Sequence, residues 1–151
     1  MSPRPITITS YNMHKGMSAL NRKVQVDSMA EELRGIGSDV LFLQEVQGQH
    51  LTRSSRLPDF PEKPHYDILG DRLSYNRSYG KNAVYPQRHE VFVDSNGKRP
   101  KTFPARLPVL SLDRVYTRNL EVLDSQIHNG KNWQRLSDHL PLSVKVRPKL
   151  P

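Results

Sequence analysis

The chain has 151 residues, a length that suits one domain, and only 35% of them are hydrophobic. It contains no cysteine, which excludes disulfides and thiolate metal sites, and no apolar run reaches the length of a transmembrane helix. The formal charge of +8 favours polyanionic partners, namely nucleic acid, an anionic phospholipid surface or a phosphoester. Because the N-terminus lacks a signal-peptide pattern, we expect a cytoplasmic protein.

The first part of the chain predicts a strand followed by a helix. Residues 6–12 alternate and are rich in β-branched side chains, which predicts a strand that ends at Asn12. Residues 23–33 carry apolar side chains at helical spacing, and the glycines Gly35 and Gly37 are expected to end this helix.

A second strand follows, and it ends at a carboxylate. Residues 39–46 are apolar on both faces in the middle, which predicts a strand buried between two layers. An unpaired charge is costly in such a place, so Glu45 needs either a salt bridge or a divalent cation. If the two strands are parallel, Asn12 and Glu45 lie at the same edge of the sheet.

The middle of the chain is less regular. Residues 47–64 are polar and contain prolines, which predicts a loop, and we interpret residues 66–70 as a short strand. Residues 72–88 interleave tyrosines with arginines and lysine, a pattern that suits stacking on bases and contacts with phosphate. A solvated loop with amphipathic tyrosines explains the same pattern equally well.

The C-terminal part predicts further strands. Residues 109–117 predict a strand with Asp113 inside it, and residues 120–127 predict a weaker one. Residues 136–141 predict a turn, after which residues 142–146 alternate in a last strand.

Four short stretches of the chain occur together in a characteristic order. They are Tyr-Asn-Met-His-Lys-Gly (11–16), Leu-Gln-Glu-Val (43–46), Leu-Asp-Arg-Val-Tyr (112–116) and Ser-Asp-His-Leu-Pro (137–141). In these stretches and in their order the chain resembles the endonuclease/exonuclease/phosphatase superfamily. Residues 79–86 and 102–104 are similar to a bacterial branch whose members carry an asparagine-x-histidine-lysine-glycine loop.

The resemblance implies a phosphoester hydrolase that uses Mg²⁺, or alternatively Mn²⁺, bound by oxygen ligands. It assigns the metal to Glu45, with Asp138 helping to hold the metal or its waters. His139 then contacts the scissile phosphate and transfers a proton or stabilises charge, while Asp113 orients His139. Asn12 orients neighbouring groups in the same site.

The remaining histidines and the loop after the first strand carry weaker assignments. His14 and Lys15 are candidates for contacts with the substrate phosphate, although solvation of such a loop is more common. Four other histidines have no companions at metal-ligand spacing and receive no role; they are His50, His65, His89 and His128.

The resemblance also exposes a gap in the middle of the chain. The family has a central segment with an aspartate-phenylalanine-asparagine motif, which positions the attacking water and holds the phosphate, and this motif is absent here. Residues 5–89 resemble the N-terminal part of the family and residues 90–147 the C-terminal part. We therefore expect one domain, 1–151, with an internal deletion at a seam between residues 89 and 90.

The resemblance implies a fold of the α/β class, a four-layered α/β/β/α sandwich with two mixed sheets face to face and helices outside. The deletion would leave this fold incomplete in the middle, with unpaired strand edges and exposed apolar faces.

Two functions remain open at this point. The first is a metal-dependent phosphoester hydrolase of nuclease, phosphodiesterase or phosphatase type that is weakly active or inactive in this shortened form. The alternative is a non-catalytic basic remnant that binds nucleic acid or phospholipid, or a truncated product without a function.

The charge predicts salt-dependent binding to single-stranded DNA, with or without catalysis. Release of counterions on binding should lower the affinity by at least about tenfold between roughly 50 and 200 mM salt. Fluorescence anisotropy with a labelled oligonucleotide measures the dissociation constant at each salt concentration. Binding that is absent at low salt, or that does not change with salt, would contradict the prediction.

Overall fold

A computed structural model describes residues 3–18, 20, 23–48, 57, 59–75, 89–93 and 96–149. Within these residues the chain forms a mixed α/β structure around one four-stranded sheet. The strands are β1 (Ile6–Asn12), β2 (Val40–Gln44), β3 (His89–Glu90), β4 (Tyr116–Thr117), β5 (Leu120–Ile127) and β6 (Leu142–Pro148). The helices are α1 (Val26–Ile36), α2 (His65–Leu73) and α3 (Trp133–Leu136), with a 3₁₀ turn at His14–Gly16.

The sheet has the strand order β2-β1-β6-β5, and it combines parallel and antiparallel pairs. β1 and β2 are parallel and are joined through α1, whereas β6 is antiparallel to both β1 and β5. The register places Asn12 opposite Gln44, so Asn12 and Glu45 lie at the same edge, as predicted. β3 and β4 form a separate antiparallel pair, and the expected seam falls inside β3.

Helix α1 buries the apolar face that the sequence predicts. Its side chains pack on one face of the sheet, where burial of an aliphatic side chain contributes about 1.5–3 kcal/mol. The buried residues are Val26, Met29, Ala30 and Leu33. The helix ends at Gly37, which has a φ of 67° and donates its N–H to the carbonyl oxygen of Arg34. Gly35 does not end the helix, because it keeps helical geometry.

Two apolar clusters lie on opposite faces of the sheet. The first joins α1 to Tyr11, Met13, Trp133 and Leu140. The second contains Phe92 and the alternate residues of β6, which are Leu142, Val144 and Val146. The alternation predicted for β6 is therefore confirmed, and β5 has the predicted bounds.

The prediction that β2 is buried between two layers is wrong. β2 is an edge strand that pairs only with β1 in the described sheet, and the side chain of Phe42 is 59% exposed. The described residues provide only the short β3–β4 pair as a second sheet. The described residues thus provide no second layer over a run that is apolar on both faces.

The predicted strand at residues 66–70 is also wrong, because these residues belong to helix α2. His65 and Leu69 are four residues apart and both buried, which is the spacing of one helical face. Residues 47, 48, 57 and 59–64 contain neither helix nor strand, which agrees with the predicted loop. The remaining residues of that loop, and residues 76–88 of the predicted tyrosine-rich stretch, lie outside the described residues.

The strand predicted at 109–117 is limited to the two residues of β4. Asp113 lies in an extended segment without strand pairing, where its backbone N–H and carboxylate contact Thr102 instead. Among the described residues, no helix is long and apolar enough to cross a membrane.

Two neighbouring glycines provide a matched test of the end of α1. A Cβ atom at Gly35 or Gly37 would meet no atom within 4 Å, so only the backbone conformation separates the two positions. We expect Gly35→Ala to raise the free energy of unfolding by about 0.5–1 kcal/mol, whereas Gly37→Ala should lower it by about 1 kcal/mol because of its positive φ. Chemical denaturation of both variants measures the two changes. Changes of equal sign would contradict the left-handed end of α1.

Candidate functional site

The ends of β1 and β2 bring an amide and a carboxylate together. Asn12 is 8% exposed, and its Nδ2 donates to Oε1 of Glu45 at 3.0 Å. The Oδ1 atom of Asn12 accepts a hydrogen bond from the backbone N–H of His14, also at 3.0 Å. The backbone N–H of Lys15 donates to the carbonyl oxygen of Glu45, so the loop after β1 stays attached to the end of β2.

The backbone is unusual both in the loop after β1 and at the residue that follows β2. His14, Lys15 and Glu45 have φ angles of 45°, 60° and 52°, in the left-handed region that non-glycine residues avoid. Each such residue costs roughly 1–3 kcal/mol, and such residues cluster at functional sites. Gly16 has a φ of 67°, and a Cβ atom there would overlap the ring of His65, so glycine is required.

His14 connects this edge to the loop before β6. Its Nδ1 atom lies 3.1 Å from Oδ2 of Asp138, and the two side chains are 15% and 20% exposed. The other ring nitrogen of His14, Nε2, is buried and has no hydrogen-bond partner among the described residues. The pair is therefore partly shielded from solvent, which strengthens its electrostatic interaction.

Asp113 and His139 form the second pair of the site. The Nδ1 atom of His139 lies 2.8 Å from Oδ2 and 3.0 Å from Oδ1 of Asp113. Thr102 donates its hydroxyl hydrogen to Oδ2 of the same carboxylate at 2.5 Å. Because a carboxylate accepts, the proton of His139 is placed on Nδ1, and Nε2 is left for a substrate.

Burial and neighbouring carboxylates act on the pKa of His139 in opposite directions. Burial lowers the pKa of His139, but the hydrogen bond that its Nδ1–H donates to Asp113 and the negative charges of Asp113, Asp138 and Glu45 outweigh burial. The net result is a pKa of His139 above the ordinary value of 6.5, so the folded structure favours the protonated ring.

Ser137 joins the two pairs, and the sequence assigned no role to it. Its hydroxyl donates to the carbonyl oxygen of Asn12 at 2.8 Å and accepts from the backbone N–H of His139 at 3.2 Å. The side chain is fully buried. Its only sequence signal is its place before Asp138 and His139.

Thr102 and Phe103 contact the Asp113–His139 pair, and the sequence assigned no role to either residue. The backbone carbonyl of Thr102 accepts from the N–H of Leu140 at 3.0 Å, and the ring centroid of Phe103 lies 4.8 Å from that of His139. The signal for both is the threonine-phenylalanine-proline stretch at 102–104.

The structure thus brings the predicted residues Asn12, His14, Glu45, Asp113, Asp138 and His139 into one linked group. Lys15 joins only through its backbone, since its ammonium group has no ion pair within the described parts of the chain. Its contact with a phosphate stays a prediction.

The residues present suit a metal ion that keeps most of its water. No group of three histidine, aspartate or glutamate side chains in the described residues is placed to enclose a metal ion. Glu45 is exposed and uses one oxygen for Asn12, so its other oxygen is open to a cation. Mg²⁺ commonly keeps several waters and binds one or two carboxylates, which this arrangement allows.

Comparisons with known proteins add distant relatives of the whole chain. No family model and no solved structure matches it. The chain is similar to the uncharacterized protein YbhP of Escherichia coli strains K12 and O6:H1 and of Shigella flexneri, with 20% identity in each case. The alignment runs over 240 residues and covers 92% of this chain and 95% of the relative. Because this alignment is longer than the 151-residue chain, the relatives contain long stretches that have no counterpart in this chain.

We expect Asp113→Asn to lower the pKa of His139, because it removes the accepting charge beside Nδ1. Nuclear magnetic resonance titration of the ring, with a chelator present, measures this change. Asp124→Asn is the matched control, since Asp124 is exposed on β5 and should leave the titration unchanged.

The same pair predicts a pH-dependent stability. The folded pKa of His139 is raised, so its stabilising contribution is complete below pH 6.5 and is lost as the pH rises through the folded pKa. The stability difference between wild type and Asp113→Asn should therefore shrink as the pH rises through this window. A His139 pKa that does not fall in Asp113→Asn would contradict both expectations.

Proposed function

We propose that the chain is a shortened, divalent-metal-dependent phosphoester hydrolase of the endonuclease/exonuclease/phosphatase type. The observation that carries this proposal is the joining of two pairs by Ser137. Asn12 and Glu45 come from one end of the chain, and Asp113 and His139 from the other. Neither pair is part of the two apolar clusters. The loop at His14 and Lys15 that connects them is strained.

The His139–Asp113 pair supplies a charged hydrogen-bond donor. Asp113 holds the ring at Nδ1, so Nε2 can donate to a phosphate oxygen or give its proton to a leaving group. The raised pKa of His139 favours the protonated ring, which suits both roles. Positive charge beside the phosphoryl group stabilises the charge that develops in the transition state.

Glu45 would hold the metal ion, and Asp138 would help to hold the metal or its waters. A bound Mg²⁺ or Mn²⁺ would neutralise charge on the phosphate oxygens. Asn12 fixes the carboxylate of Glu45 through its amide, and Asp138 is fixed by His14. These contacts set the direction of the carboxylates before any ligand arrives, which lowers the cost of binding.

Two observations support an origin from a larger four-layered sandwich. Ile6 and Phe42, which are 37% and 59% exposed, lie on the sheet face that a second sheet would cover. The alignment with the relatives is also much longer than this chain. Both support an internal deletion, and its position between residues 89 and 90 stays a prediction from the sequence.

The deletion predicts poor turnover. In the family, the aspartate-phenylalanine-asparagine motif positions the attacking water and binds the phosphate, and this sequence lacks that motif. Positioning and electrostatic stabilisation dominate phosphoryl-type transfer, so their loss is severe. A substrate with a good leaving group needs less help and should still react slowly.

A non-catalytic polyanion-binding protein is the second candidate. The formal charge of +8 favours it, because basic surfaces attract nucleic acid and anionic lipid without any catalytic group.

We expect trace Mg²⁺- or Mn²⁺-dependent hydrolysis of bis(p-nitrophenyl) phosphate and no nicking of DNA. Loss of the proton donor in His139→Ala should lower this rate by about a hundredfold or more. Glu45→Gln should remove the metal-dependent part of the rate. Release of p-nitrophenolate measures all variants.

The matched control is Glu31→Gln, because Glu31 lies on the exposed side of α1 and pairs with Arg34. Purified in the same way, it should retain the wild-type rate. Equal rates in wild type and the three variants would show a contaminating hydrolase and contradict the proposal. Robust DNA hydrolysis that vanishes in His139→Ala would instead show that the missing segment is dispensable.

A further inference from the structure

A segment beside the site carries an unusual number of exposed aliphatic side chains. Residues 102–112 form what we call the aliphatic hairpin. Leu107, Val109, Leu110 and Leu112 in this hairpin are 73%, 51%, 48% and 53% exposed. A single exposed leucine is ordinary, but four such side chains within six residues mark an interaction surface.

Backbone hydrogen bonds hold the aliphatic hairpin in shape. The N–H groups of Val109 and Leu110 both donate to the carbonyl oxygen of Phe103 at 2.8 Å. The N–H of Leu107 donates to the carbonyl oxygen of Pro104 at 3.0 Å, which closes the turn. The exposed side chains are therefore carried on a fixed backbone.

The base of the aliphatic hairpin is attached to the site. The N–H of Ala105 donates to the carbonyl oxygen of Asp138 at 2.7 Å, and Thr102 and Ala105 are fully buried. Asp113, the partner of His139, directly follows Leu112. One side of the hairpin thus faces the site, and the aliphatic side chains are on the solvent side.

The charge around these side chains is positive. Residues 98–112 contain four lysines and arginines and no carboxylate. Lys101 and Arg106 are exposed, and neither forms an ion pair in the part of the chain that the structure describes. Among the described residues, Arg106 donates only to the carbonyl oxygen of Gln134, at 3.4 Å. Aliphatic side chains flanked by cations without an ion pair match a surface that is apolar inside and negatively charged outside.

We propose that the aliphatic hairpin docks the protein on an anionic phospholipid bilayer. Its leucines and valine enter the boundary between head groups and acyl chains, and Lys101 and Arg106 contact the head-group phosphates. Nucleic acid fits less well, because the hairpin's one aromatic ring, Phe103, packs against His139 and is not available to stack on bases.

Docking goes beyond the proposed hydrolysis and does not require it. It would place Asp113 and His139 close to the level of the lipid phosphates, because both ends of the hairpin contact the site. Only this last consequence rests on the proposed function. A vesicle-binding experiment and a hydrolysis assay can therefore fail independently.

Co-sedimentation of the full chain with vesicles tests the docking. We expect binding to vesicles of phosphatidylcholine mixed with phosphatidylglycerol, and much weaker binding to phosphatidylcholine alone. The double variant Leu107→Ser/Leu112→Ser should lower the partition coefficient by about tenfold or more, and Lys101→Gln/Arg106→Gln should lower it by a similar factor. Leu20→Ser is the matched control, since Leu20 is 66% exposed outside the hairpin.

A second measurement does not depend on loss of binding. After subtraction of the wild-type signal from Trp133, Leu107→Trp should show a blue-shifted emission and quenching by brominated phospholipid, whereas Leu20→Trp should not. Circular dichroism melting checks that each variant is folded. The proposal would be overturned if the protein did not bind the mixed vesicles. It would also be overturned if the folded leucine variants bound them with the same partition coefficient as wild type. Substitutions that weaken binding to single-stranded DNA and leave vesicle binding unchanged would overturn it too.

Discussion

One buried hydroxyl group holds the two halves of the site together. Ser137 donates to the backbone of Asn12, which is 125 positions earlier in the chain, and accepts from the backbone of His139. A buried polar group that loses its partner costs about 1–3 kcal/mol, so this arrangement is strongly preferred once β1 and β6 are paired. The pairing of these two strands is in turn what brings the two ends of the chain into reach. The distance between the Asn12–Glu45 pair and the Asp113–His139 pair thus follows from the sheet itself.

The strained loop at His14 and Lys15 persists because both of its ends are fixed. Met13 and Met17, on either side of it, are 0% and 1% exposed, so neither end can move without opening the core. Packing of the sheet and the core therefore offsets the strain energy of His14 and Lys15, which the isolated loop would relieve by changing conformation. Little in the sequence indicates this strain, since lysine has no special preference for positive φ and histidine, although enriched there, adopts it only rarely.

Regular periodicity explains which parts of the fold the sequence predicted. β1, β6 and α1 show clear repeats of two or of 3.6 residues, and the parallel β1–α1–β2 unit placed Asn12 beside Glu45. The short apolar run at residues 66–70 fits a strand and a helix equally well, and the buried face of His65 and Leu69 decides for the helix. The Asp113 segment was mistaken for a strand because Asp113 is held by the side chain of Thr102 and not by strand pairing, and no periodic pattern reveals such a contact.

The position proposed for the missing segment would explain how an incomplete fold can keep an ordered site. The contacts of the His139–Asp113 pair come from Thr102 and Ser137, and those of Glu45 come from Asn12. All of these residues lie well outside the proposed seam between residues 89 and 90. A deletion at this seam would uncover Phe42, but it would leave the residues that orient His139 in place. The geometry of the pair and the completeness of the fold are therefore separable, so an ordered pair does not require an efficient enzyme.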